Sequence, residues 1–170
     1  MKRFIFGFVF LIASIGVFAQ KYAYVDTEYI LSKIPAYKAA QDKLNEISTE
    51  WQKELEQEYK LVEKMRLDYQ SEKVLLTSEM IEQREKEIAQ KVNEIKSLQN
   101  KFFGPKGELF VKRQELIKPI QDEVYEAVEE IAKSGKYAVI FDTASGAAIL
   151  YTNSKYDKSD EVLEKLGYKN

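Results

Sequence analysis

The chain of 170 residues has no cysteine and no histidine. Without cysteine there is no disulfide, no thiol nucleophile, no zinc–thiolate site and no lipid-bearing cysteine. Without histidine the commonest general base and the commonest imidazole metal ligand are missing. Glycine and proline are scarce, at 7 and 3 residues, and neither occurs between Pro35 and Gly104. Beyond residue 20 no apolar run reaches the length of a bilayer span. The net charge of −2 leaves no basic excess for nucleic acid. These absences argue against an enzyme, and no catalytic residue, metal or cofactor is expected.

What is present begins with a leader. Lys2 and Arg3 precede an almost wholly apolar run from Phe4 to Val17, and Val17-Phe18-Ala19 places small residues at −3 and −1 of a cleavage site. This is the layout of a secretory signal peptide over 1–19. Its removal takes two of the 26 basic side chains and none of the 28 acidic ones, leaving a net charge of −4. An exported, acidic, cysteine-free chain fits a soluble protein of a bacterial envelope.

The stretch without glycine or proline is rich in Glu, Lys, Gln and Leu, all good helix formers. As one helix it would run about 100 Å, so a turn in its middle is expected. Heptads support two helices packed lengthwise. Ile34, Gln41, Ser48, Leu55, Val62 and Tyr69 form one line, with Tyr37, Leu44, Trp51, Glu58 and Met65 beside it. Ile81, Ile88, Ile95, Phe102, Leu109 and Leu116 repeat every seven residues in the next segment. The two phases break between Leu75 and Met80, which places a hairpin tip near 71–78, with Thr77 or Ser78 capping the returning helix.

That helix is interrupted at Gly104-Pro105-Lys106-Gly107, and Pro105 is expected to open a new helical segment. Pro119 interrupts it again. Ile120, Val124, Val128 and Ile131 then make one apolar stripe, ending at Gly135 as a helix C-cap. The remaining ends read as strands, at 22–26, 137–142 and 147–151, with a turn at 143–146 and a final helix near Asp157 to Gly167. The expected architecture is α+β and mainly α. A small β-rich head forms from 20–36 and 119–170, and a helical hairpin arm spans 37–118. So small a head buries little apolar surface alone. Association through Tyr22, Tyr24, Val139 and Phe141 would close its sheet edges, and a homo-oligomer is expected on that ground.

A series of short pieces runs in order along the chain. It starts with the A-Y-V-D strand, Ile30-Leu31 behind it, and the charged hairpin. Pro119-Ile120 with Val128 and Ile131-Ala132, then Tyr137 to Asp142, then Asp157 with Val162-Leu163 complete it. In this order and spacing the chain resembles the Skp/OmpH family of periplasmic chaperones. The resemblance implies a jellyfish-like homotrimer with a β-rich body and three α-hairpin tentacles. Their cavity holds unfolded outer-membrane β-barrel proteins without ATP, and transient contact with a membrane surface is a further expectation. Two features depart from the best-known members. Those are strongly basic, whereas residues 41–100 here hold 10 basic and 14 acidic side chains. The Gly104-Pro105 break is also not general in that family.

Client binding needs apolar surface that the protein does not bury itself. Tyr59 and Leu67 lie off the seam, Val74, Leu75, Leu76 and Met80 cluster near the tip, and Phe103 and Phe110 lie off the second heptad line. These are the candidate client-binding residues, against the plainer reading that they pack in the hairpin or on the head. A structural coiled-coil adaptor or spacer of the cell envelope is the alternative function. Phe141-Asp142-Thr143-Ala144-Ser145-Gly146 looks like the F-D-T-G-S segment of aspartic proteases, in which two carboxylates share a proton. Ala144 replaces the glycine that turn needs, so Asp142 is expected to end a strand instead.

Overall fold

The computed structural model describes residues 20–146 and 148–168. The leader expected over 1–19 lies outside them. The chain divides into two compact units, one drawn from its two ends (up to Lys33 and from Val124), the other from Ile34 to Glu123.

In the unit built from the ends, β1 (Lys21–Val25) pairs in parallel with β2 (Tyr137–Asp142), setting Tyr22 beside Val139 and Tyr24 beside Phe141. Parallel strands need a crossover, and here everything between Asp26 and Lys136 lies within that one connection. α1 (Thr27–Lys33) starts directly after β1. Its start is held by Asp26, whose Oδ1 accepts from the Tyr29 amide at 2.9 Å. Asp142 at the end of β2 adds to it, accepting from the Thr27 amide at 3.2 Å and hydroxyl at 2.8 Å. α1 contributes Ile30 and Leu31 to the interior, and α6 (Ser159–Lys165) contributes Val162 and Leu163. α5 (Lys118–Gly135) adds Val124, Ala127 and Ile131 from one stripe. Asp157 Oδ1 accepts from the Ser159 amide at 2.8 Å at the start of α6.

The expected third strand is not formed. Residues 148–151 lie in no strand and pair with none of the described residues, Leu150 is 99% and Tyr151 81% exposed, and Ala147 lies outside the described residues. A strand exists only where a neighbour completes its ladder. β1 takes β2 on one side and a bridge to Asp157 on the other, where Lys158 donates to the Tyr24 carbonyl at 2.9 Å. The turn after β2 is a 3-10 turn at Thr143–Ser145, in which Ala144 donates to Asp142 Oδ1 at 3.0 Å.

The second unit is an antiparallel pair of long helices. α2 (Pro35–Glu72) has 38 residues, about 57 Å. A 3-10 turn at Lys73–Leu75 leads to α3 (Ser78–Phe103), whose N-cap Thr77 accepts from the Met80 amide at 3.3 Å. α4 (Glu108–Leu116) continues after the break. The heptad residues meet as the spacing demands: Leu55, Val62, Ile95 and Phe102 form one buried cluster, with Trp51, Ile88, Val92, Leu98 and Phe103 against it. Ala40, Leu44 and Ile117 form a second, with Tyr37, Leu109, Leu116 and Ile120.

Two local expectations change. Pro105 does not open α4. It sits inside a tight turn in which Gly107 donates to the Gly104 carbonyl at 2.8 Å, and the helix resumes at Glu108. Gly135 is not the left-handed cap of α5, because that conformation falls on Lys136 at φ 55°. A side chain at Gly135 would instead meet the Tyr137 ring at 2.2 Å.

Candidate functional site

The arm is polar-clamped along its length. Lys91 Nζ lies 2.8 Å from Glu58 Oε2 across the seam and 3.4 Å from Glu94. The first contact is a close ion pair rather than an aligned hydrogen bond, since Glu58 Oε2 is buried without a hydrogen-bond partner. Glu58 holds the Lys91 ammonium above its ordinary range. Beside it Tyr59 donates to Gln99 at 3.3 Å, and nearer the tip Tyr69 donates to Glu85 and Arg84 reaches Glu72 at 3.8 Å. Lys73 lies 5.1 Å from the centre of the Tyr69 ring and 3.6 Å from Glu85, and both hold its ammonium above the usual range, Tyr69 first.

Against this clamped pair several candidate residues stand free of the core. Val74 is 89% and Leu75 82% exposed, Leu67 57%, and Tyr59, Met80 and Phe110 about half. Leu76 is only half-buried in the turn. Phe103 is placed differently. It packs edge-on against Trp51 at 6.1 Å and Phe102 at 6.3 Å, while Trp51 stacks flat on Phe102 at 4.7 Å. In the other unit Tyr22, Val139 and Phe141 are exposed, while Tyr24 is half-buried. Leu61, Val111, Leu150 and Tyr151 are further exposed apolar groups that the heptad count did not single out. Leu61 precedes the seam residue Val62, and a count of the seam alone passes over it.

Two clefts accompany these surfaces. One, of about 670 Å³, lies in the unit of the chain ends, where Tyr22, Tyr24, Tyr137, Tyr151 and Tyr156 line it. The other, of about 550 Å³, opens between α2 and α3 near the tip, over Ile88, Ala89 and Val92. Sequence reasoning missed the second. Its signal is Ala89, a small side chain beside the Tyr69 seam position. Among the described residues no cluster of Asp and Glu is arranged to hold a metal ion, and no helix is long and apolar enough to cross a membrane. Asp142, the residue of the protease-like segment, spends both carboxylate oxygens on Thr27 and Ala144.

The model of the OmpH-like outer membrane protein family matches residues 21–166. The chain belongs to the OmpH-like family. An uncharacterised protein of Aquifex aeolicus (strain VF5) is 32% identical to this OmpH-like chain, covering 98% of it and 96% of that protein. The crystal structure of a candidate outer membrane chaperone (OmpH-like) of Caulobacter crescentus CB15 has the same fold. It superposes with a TM-score of 0.67 over 89% of this chain and 86% of that one, at 16% identity. The OmpH-like fold is thus kept where most side chains differ.

Proposed function

We propose that the protein is an ATP-independent holdase of the periplasm, exported by a leader at 1–19, that binds unfolded outer-membrane β-barrel proteins and keeps them from aggregating. Family membership supports a chaperone role. The observation that carries the reading further is the exposure of Val74, Leu75 and Leu67 on an arm whose own seam is already filled. A helix pair gains nothing structurally from leaving such groups in water, each costing up to about 2 kcal/mol against burial.

The proposed assembly is a homotrimer. The outer edge of β2 has no ladder partner among the described residues, and the apolar segment at 149–151 lies in no helix or strand and is exposed. Pairing of such a segment with a β2 edge in another copy would remove both liabilities, drawing on Val139, Phe141, Tyr22 and Tyr24. With acidic arms, apolar contact leads the grip and charge does not.

The test is a barrel protein diluted from urea into buffer with the protein lacking residues 1–19. A holdase suppresses light scattering at about one trimer per client. A coiled-coil spacer leaves the scattering unchanged, and that result would overturn the reading. Mass by light scattering checks the trimer separately.

A further inference from the structure

The cleft near the tip of the arm differs in charge from the helices that form it. Residues 41–100 carry four more acidic than basic side chains. The charged groups lining the cleft are Arg66, Lys73 and Glu85, a local excess of one positive charge. Lys73 and Glu85 are engaged with each other and with Tyr69. Arg66 is not: it has no ion pair or hydrogen bond to another side chain among the described residues. The floor is apolar, because Ile88 and Val92 turn one flank to the buried cluster and the other to the opening, and Ala89 is too small to fill it. A volume of about 550 Å³ suits one or two side chains with their backbone. The cleft continues past Arg66 and Val92 into a second one beside Tyr59, lined from Glu56 onward. From Glu56 to its end at Glu72 α2 rises about 24 Å, the reach of about seven extended residues.

We propose that this cleft is a seat for an extended client segment that carries an apolar side chain and, on the same face two residues away, a carboxylate. The apolar group rests on Ile88, Ala89 and Val92 while Arg66 receives the carboxylate. Successive side chains of an extended chain alternate faces, so two groups of one face lie about 7 Å apart, within the span from Arg66 to Lys73. The planar guanidinium suits a carboxylate better than a lysine ammonium does, because it offers two parallel donors. This rests on the holdase reading and adds to it a place and a chemistry. The grip on the distal arm is then apolar with one charge-selective point, in contrast to the bare side chains of the tip.

The probe is a labelled eight-residue apolar peptide ending in a free carboxylate, compared with the same peptide amidated, by fluorescence anisotropy. The carboxylate form is expected to bind the wild-type protein about three- to tenfold more tightly. The difference should vanish in Arg66→Gln and in about 0.5 M salt, and Ala89→Phe, which fills the cleft without changing charge, should weaken both peptides. Arg66 and Ala89 are exposed, so helical circular dichroism and melting should match the wild type. A photo-cross-linking residue at position 93 should capture a barrel protein where one at exposed position 64 does not. Equal binding of the two peptides, or a preference that survives Arg66→Gln, overturns the seat while leaving the holdase intact. Failure of the wild-type protein to suppress aggregation in the scattering assay removes the holdase and the seat together.

Discussion

Lys136 is the only non-glycine residue among those described with a left-handed backbone, at φ 55°. It follows α5 directly, where its amide donates to the Lys133 carbonyl at 3.3 Å. A β-carbon in that region costs about 1 kcal/mol relative to glycine. Lys136→Gly is therefore expected to raise the unfolding free energy by up to about 1 kcal/mol, read as a higher urea midpoint at unchanged slope. Its neighbour behaves oppositely. At Gly135 a methyl group would press into the Tyr137 ring at 2.2 Å, so Gly135→Ala should lower the midpoint although alanine favours helix elsewhere. The sequence pointed to a helix end here but not to this division of labour. A glycine at the end of an apolar stripe reads as the cap, and only the position of the Tyr137 ring shows that its task is to leave room.

At the scale of the element the break between α3 and α4 is built rather than loose. A β-carbon at Gly104 would meet the Asn100 carbonyl oxygen at 2.3 Å. One at Gly107 would meet Gly104 N and the carbonyls of Lys101 and Phe102, each at 2.8 Å. Neither glycine has a positive φ, so close backbone approach and not handedness requires them. Pro105 fixes the turn between, Lys101 reaches Glu108 across it at 3.4 Å, and the Trp51–Phe102–Phe103 cluster lies on its α3 side. Gly104→Ala and Gly107→Ala should each cost about 2 kcal/mol or more and shift the emission of Trp51, the single tryptophan. Gly146→Ala, where nothing lies near and only φ 77° is strained, should cost about 1 kcal/mol and leave that emission alone. Heptad spacing made the seam legible, since Leu55, Val62, Ile95 and Phe102 all lie where a seven-residue repeat puts them. It could not tell a rigid turn from a helix start at Pro105, because proline suits both. Nor could it show the distal cleft, which depends on how two helices diverge. The third strand failed for another reason: the short apolar run A-A-I-L-Y reports suitability for a ladder but not the pairing itself, and the free edge of β2 takes no strand among the described residues.

At the scale of the whole molecule the lack of histidine shapes the response to pH. Every resolved shift moves a group away from neutrality. A hydrogen bond and ion pair with Lys60 hold Glu56 below its usual range, and Lys165 does the same to Glu130. Glu46 holds Lys43 above its own range, as Glu129 does for Lys133 and Glu161 for Lys158. A depressed carboxylate contributes stability above its unfolded pKa, lost as the pH falls through the folded value. A raised ammonium contributes below its unfolded pKa, lost as the pH rises through the folded value. Both contributions are complete from about pH 5.5 to 9, and the melting temperature should vary there by no more than about 2 °C.

The other property of the whole is assembly, and it can be separated from folding because the two units have different interiors. The arm is closed by its own clusters, whereas the unit of the chain ends leaves Val139, Phe141, Leu150 and Tyr151 exposed. If the β2 edge pairs between copies, as proposed, Val139→Lys places an ammonium group on the edge strand where a partner's backbone must approach. The expected outcome is a monomer by light scattering, with helical circular dichroism retained and the Trp51 emission of the arm unchanged. Aggregation suppression per chain should fall with the loss of the trimer, because weak contacts on one arm no longer act together. A Val139→Lys protein that remains trimeric would move the interface away from β2.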